Sequence, residues 1–178
     1  MKLRRHTSVR VNLNRMAVDL GKDDLTSYPF LYLTGLDDFS FSPQQQAALQ
    51  QYLSLGGFLL INNGLGLGTF DRAVRREMDR VLPGTEFQSI PRDHDLFRSL
   101  FSMERVQYTA MLETEGASPS TASSALLGMM IEGELRVLYS PYDMEAGWLG
   151  AYYPMMRGYQ PTSAQQLGMN VITYVLTY

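Results

Sequence analysis

Two short apolar runs, joined by one well-punctuated helix, constrain this chain more than any other feature in it. Pro29-Phe30-Leu31-Tyr32-Leu33-Thr34-Gly35 is almost continuously apolar and stops at a glycine, the pattern of a fully buried central strand. Ser42-Pro43-Gln44-Gln45 then opens a helix. Ser42 caps it, Pro43 takes the first helical position, where its missing N–H costs nothing, and Gln45 completes a capping box. Ala48, Leu49, Tyr52 and Leu53 recur at helical spacing on one face, and Gly56-Gly57 ends the helix. Phe58-Leu59-Leu60-Ile61-Asn62-Asn63 follows at once as a second buried strand. Parallel strands need a crossover, and a helix of this length supplies one, so the segment reads as a right-handed parallel βαβ unit.

The flanking sequence extends the same alternation. Ser8-Val9-Arg10-Val11-Asn12-Leu13 has the period-two pattern of a half-buried strand. Gly64-Leu65-Gly66-Leu67-Gly68-Thr69 is a mobile loop before a helix over residues 70–81, with Phe70, Val74, Met78 and Val81 inward and Arg72, Arg76 and Arg80 outward. Residues 86–90 form a weak strand, Asp93 caps a short helix to Phe101, and residues 117–124 form an exposed loop. Residues 126–131 and 135–139 flank Glu132-Gly133-Glu134 as a C-terminal hairpin. Thr162 opens a last helix with Ala164, Leu167, Val171 and Val175 as its stripe. The expected fold is α/β: a doubly wound, mostly parallel sheet in a single domain over residues 1–178, without internal repeat.

Composition excludes several classes of chemistry. At 178 residues the chain suits one domain, burying roughly two thirds of its unfolded surface. It has no cysteine, which rules out disulfides, thiolate metal sites and every cysteine-nucleophile mechanism. Only His6 and His94 are present, so a multi-histidine metal site is ruled out too. The net charge of −3 gives no general pull toward nucleic acid, and the basic cluster Lys2, Arg4, Arg5 and Arg10 reads as a solvated strand edge. No run approaches the ~18 apolar residues that span a bilayer, so direct membrane insertion is not expected. Met1-Lys2-Leu3-Arg4-Arg5 is basic, but no apolar stretch follows, so no signal peptide is expected; a segment cut from a longer exported protein fits equally.

Several further strings occur in a recognisable order. They are Leu53-Ser54-Leu55-Gly56-Gly57-Phe58-Leu59-Leu60, Phe70-Asp71-Arg72-Ala73-Val74-Arg75-Arg76-Glu77-Met78, Asp93-His94-Asp95-Leu96-Phe97, Tyr139-Ser140-Pro141-Tyr142-Asp143 and Gly147-Trp148, all after Tyr28-Pro29-Phe30-Leu31-Tyr32-Leu33-Thr34-Gly35. Together they resemble the bacterial domain of unknown function 4159 over nearly the whole chain. That family is similar to class I glutamine amidotransferase-like domains. The resemblance implies a flavodoxin-like three-layer sandwich, and a cell-envelope or periplasmic location for full-length members. It implies no reaction. The chain departs from the family where Asn62, Asn63 and Gly64 replace acidic residues and an often-present Cys, and where Asp95 replaces a Pro after the histidine.

In an open α/β sheet, ligands bind beyond the carboxyl ends of the strands. That rule makes Thr34, Asp37, Asn62, Asn63, Gly64, Asp143 and Trp148 the candidate ligand-binding residues, with Glu145 beside them. The competing reading of each is structural, since Asn, Asp and Gly are what turns need and a Trp can simply cover the sheet end. The glycine-spaced loop at 64–69 fits neither the dinucleotide nor the Walker pattern. His94 between two aspartates invites a general-base reading, but a lone His at a helix start more often caps or packs. No Gly-x-Ser-x-Gly turn is present, which leaves no serine-hydrolase motif. Met155-Met156 reads as core filler or as an exposed interface. No catalytic residue, metal ligand or cofactor is assigned. The favoured function is a non-catalytic module binding a protein partner or a small polar ligand. The alternatives are a carboxylate-based, metal-assisted hydrolase using Asp37, Asp143 and His94, and a structural domain of an envelope complex.

Overall fold

The computed structural model describes residues 16–91, 93–116, 126–151 and 153–177. The expected strand at 8–13, the basic cluster, His6 and the loop at 117–124 lie outside them. The described residues form a mixed α/β fold around one open five-stranded sheet. The strands are β1 (Leu31–Gly35), β2 (Leu59–Asn63), β3 (Gln88–Ser89), β4 (Leu127–Ile131) and β5 (Glu134–Ser140), in the order β1-β2-β5-β4-β3. β1, β2 and β5 pair in parallel, while β4 runs antiparallel to both β5 and β3. Four of the five strands therefore share a direction, and their carboxyl ends share an edge.

The βαβ unit forms as its punctuation predicts. Helix α1 (Pro43–Ser54) starts at Ser42, whose hydroxyl accepts from the Gln45 N–H, while the Gln45 side chain accepts from the Ser42 N–H. Leu49, Tyr52 and Leu53 are its buried face. β1 and β2 then align with Leu31 opposite Leu59 and Thr34 opposite Asn62. β2 is buried throughout, as expected of a central strand, but β1 is not. It lies at the edge of the described sheet, with Tyr32 37% exposed and Thr34 exposed. A short apolar run reads alike whether both faces are covered or one lies along a groove, which is why its sequence suggested full burial.

Alternation along the strands divides the core in two. Leu31, Leu59, Ile61, Val137 and Tyr139 pack with α1 and with α2 (Gly68–Val81), which contributes Phe70, Val74, Met78 and Val81. Leu60, Leu138 and Leu126 pack with α5 (Pro161–Thr177), through Ala164, Leu167, Val171 and Tyr174. Successive side chains on a strand point to opposite faces, so helices cover both sides of the sheet. Between β4 and β5, Glu132 and Gly133 both have positive φ (52° and 85°), as a two-residue hairpin turn requires. The pair sits inside the sheet, followed by α4 (Glu145–Leu149) and α5; α3 (Ala110–Thr114) is a further single short helix. Among the described residues, no helix is long and apolar enough to cross a membrane.

Two expectations shift locally. The cap before Leu96 is His94 rather than Asp93, and it opens a single 3₁₀ turn, Asp95–Phe97, rather than a helix to residue 101. The methionine pair splits, with Met156 buried and Met155 70% exposed.

Candidate functional site

The shared carboxyl edge brings Thr34, Asn62 and Ser140 into register on adjacent strands. Asn62 is fully buried, and its amide is used on both sides. Its Nδ2 donates to Asp143 Oδ1 at 3.3 Å and to Thr34 Oγ1 at 3.4 Å, and its Oδ1 accepts from the Met144 N–H at 2.8 Å. Asp143 is buried as well. Its Oδ1 also accepts from the Ala146 N–H in the first turn of α4, at 3.2 Å, and its Oδ2 accepts from the Leu65 N–H at 3.0 Å. Leu65 has φ +55°, a left-handed conformation that costs a leucine about 1–2 kcal/mol. Asp143 holds its N–H while the Arg157 N–H holds its carbonyl, so both neighbours fix the strained residue.

Asn63 points to the other face. Its Nδ2 donates to the Leu67 and Pro141 carbonyls, and its Oδ1 accepts from the Leu67 N–H, pinning the loop after β2 against the end of β5. The adjacent Gly64 is buried in a 3₁₀ turn, Gly64–Gly66. Asp37 is exposed in the segment after β1. Among the described residues, no buried side-chain nitrogen or oxygen lacks a hydrogen-bond partner. The strand-end polar groups therefore form a closed knot.

The concavity lies beside this knot, along the outer edge of β1. It measures about 880 Å³ and is walled mainly by apolar side chains, among them Leu20, Phe41, Leu49 and Ile172. Of the residues expected at the site, Thr34 and Trp148 line it; Asp37, Asn62, Asn63, Gly64 and Asp143 are not among its described lining residues. Tyr32 and Glu145 complete its polar corner. The Tyr32 hydroxyl donates to Glu145 Oε2 at 3.1 Å, and its ring lies 5.9 Å from that of Trp148, tilted by 43°. Desolvation, and then the nearby Glu145 carboxylate, push the Tyr32 phenol above its ordinary value. Trp148 is seated by α5, where its Nε1 donates to the Ala164 carbonyl at 2.6 Å. A Cβ on Gly168 would sit 2.5 Å from that nitrogen, so only glycine leaves room for the indole.

Tyr32 was the residue that reading the sequence for loop chemistry missed. Period-two alternation carries the signal, because it puts Tyr32 on the same face as Thr34. His94 is elsewhere: its Nδ1 accepts from the Leu96 N–H and its ring packs on Tyr174 at 5.3 Å. Burial lowers its pKa, opposed by Asp95, Asp93 and Glu134. Among the described residues, no three His, Asp or Glu side chains converge closely enough to hold a metal ion.

No curated protein matches this chain. The model of the family described as Domain of unknown function (DUF4159) matches residues 1–176, so the chain belongs to that family.

Proposed function

We propose that this member of the family is a non-catalytic binding module, built on a class I glutamine amidotransferase-like, flavodoxin-like scaffold without the nucleophilic cysteine. One observation carries the reading. A groove of about 880 Å³, mostly apolar, ends in a small set of convergent polar groups: the Tyr32 and Thr34 hydroxyls and the Glu145 carboxylate, beside Trp148. That combination is the usual anatomy of a site for a small ligand or a peptide. In this reading Asn62 and Asp143 act beneath the groove, positioning α4, and Asp37, Asn63 and Gly64 shape the loops around it. Bacterial origin and an envelope or periplasmic place for the full-length protein are part of the same proposal, and rest on the family's likeness alone.

The metal-assisted hydrolase has less support. Asp37 is exposed after β1, Asp143 is engaged by three donors, and His94 caps a different turn.

Trp148 is the only tryptophan, so its fluorescence reports on the groove alone. A panel of small polar compounds and short peptides is titrated while emission is followed, with Trp148→Phe as the blank. A saturable change supports the reading. A panel that leaves emission unmoved counts against the groove as a site. Ammonia release from glutamine clearly above a buffer control, by protein free of contaminating glutaminase, contradicts the non-catalytic assignment.

A further inference from the structure

Asn63 is the one asparagine in the sequence that a glycine follows. In such a pair the glycine nitrogen, unhindered by a Cβ and carried on a permissive backbone, can attack the asparagine side-chain carbonyl carbon. The bond from the Gly64 nitrogen to Asn63 Cγ forms, the Cγ–Nδ2 bond breaks, and ammonia leaves with the proton from the Gly64 nitrogen. Water then opens the succinimide at either carbonyl. The product is aspartate or, with the main chain rerouted through the side chain, isoaspartate. The reaction consumes only water.

The fold requires this pair of residues. A Cβ on Gly64 would sit 2.7 Å from Leu36 Cδ2 and 3.0 Å from the Gly35 carbonyl oxygen, so the position resists any larger residue. Asn63 donates from Nδ2 to the Leu67 and Pro141 carbonyls at 3.0 and 3.1 Å, and accepts at Oδ1 from the Leu67 N–H at 3.1 Å. An ionised aspartate has no donor for the two carbonyls, and glutamine is a methylene longer. The same fold restrains the chemistry. At ψ 102° the Gly64 nitrogen lies nearly opposite the Asn63 Cβ across the Cα–C bond, whereas ring closure needs the two on one side. The leaving nitrogen is held by two carbonyls, and the residue is 1% exposed.

We propose that Asn63 is a site of spontaneous deamidation that the native fold holds shut and that unfolding opens, so that conversion there marks a chain that has been unfolded and impairs its return. The inference is independent of what the groove binds. In the converted chain a carboxylate oxygen replaces Nδ2 and faces the Leu67 and Pro141 carbonyl oxygens, acceptor against acceptor, in a buried place. Isoaspartate also adds a backbone carbon between β2 and the Gly64–Gly66 turn, which displaces the loop from the end of β5. Either product removes the clasp that joins the two strand ends.

The test incubates the full chain at mildly alkaline pH, in buffer and in guanidinium chloride above its unfolding midpoint, and follows each asparagine by peptide mass spectrometry. In denaturant Asn63 is expected to convert at least about tenfold faster than Asn62 and Asn170, which asparagine and valine follow. In buffer its conversion is expected to be at least about a hundredfold slower than in denaturant, because only the rare unfolded chains react. Gly64→Ala, measured in denaturant alone so that its folding does not matter, slows Asn63 toward the rate of Asn62. Partly converted wild-type chains are then diluted from denaturant, and the refolded fraction is expected to be depleted of aspartate and isoaspartate at position 63. Equal rates for Asn63 and Asn62 in denaturant overturn the site. Equal rates for Asn63 with and without denaturant overturn its protection by the fold. Converted chains that refold as fully as intact ones overturn the impairment.

Discussion

Replacing Asn62 by alanine separates a scaffold role from a ligand-contacting one. The wild-type amide is fully buried, donates to Asp143 and Thr34, and accepts the Met144 N–H at 2.8 Å. In the alanine variant Thr34 is exposed and finds water, and Asp143 keeps its bonds from the Leu65 and Ala146 N–H groups. The Met144 N–H, in a residue with no exposed surface, keeps no acceptor. Leaving that donor unsatisfied costs roughly 1–3 kcal/mol, and the small void adds to it, so the total is roughly 2–4 kcal/mol. For a chain of this size that lowers the melting temperature by roughly 5–15 °C. The assay is thermal and urea unfolding followed by far-ultraviolet circular dichroism. Asn62→Asp sharpens it: an oxygen remains for Met144, but a second carboxylate now faces Asp143. At neutral pH this variant unfolds more easily than Asn62→Ala. Like-charge contact raises the pKa of the carboxyl pair in the fold, so the deficit shrinks as pH falls and the pair takes up a proton. A stability loss below about 0.5 kcal/mol for Asn62→Ala refutes the scaffold role.

Three other perturbations probe the surroundings. Glu77 is fully buried; burial alone would raise its carboxyl pKa, but Arg76, the Phe41 N–H and Arg80 outweigh it and leave the group below its ordinary value. Glu77→Ala removes the Phe41 acceptor and both ion pairs, and because the arginines are half-exposed the expected cost is about 2–3 kcal/mol in urea unfolding; under about 1 kcal/mol would count against a structural ion cluster. Gly168→Ala forces the Trp148 indole off the Ala164 carbonyl, with a cost of roughly 1–3 kcal/mol and a shifted emission maximum, and an unaltered spectrum contradicts the seat described above. His94 has a folded pKa depressed by burial, so its contribution to stability is complete above the ordinary histidine value and is lost as pH falls from there toward the folded value. Urea midpoints between about pH 8 and about pH 5 should show that decline, and His94→Asn, which keeps a capping oxygen, should flatten it.

What the sequence disclosed and what it withheld follow from the range of the interactions. The β1–α1–β2 unit was legible because its signals are local: the Ser42/Gln45 box, Pro43, Gly56-Gly57 and two apolar runs all act within a few residues. The face of α2 that packs on the sheet was legible for the same reason. The edge position of β1 was not, since strand order depends on partners remote in sequence. Asn62, Asn63 and Asp143 were recognisable as polar residues past strand ends, but an amide's sequence position says nothing about which groups its donors and acceptor meet. Here Asn62 meets Asp143 from 81 residues away, and Tyr32 meets Glu145 from 113 residues away. The five-residue helix α4, which sets both meetings, is too short to leave a period.

That short helix links the two halves of the candidate site. Asn62 holds the Met144 N–H and Asp143, and Asp143 in turn holds the Ala146 N–H, so β2 fixes the first turn of α4 from beneath. The same turn carries Glu145 to the Tyr32 hydroxyl, and the end of the helix carries Trp148 against the Tyr32 ring and onto α5. A polar residue at a strand end therefore shapes the groove without lining it. Its own hydrogen-bonding capacity goes to the fold, and the groups left to face the groove are those one layer further out, on α4 and on the outer strand. The expectation that ligands gather at the carboxyl ends of parallel strands depends on those ends being open. In this chain two asparagines and an aspartate close them, and the concavity lies to the side, along the edge of β1.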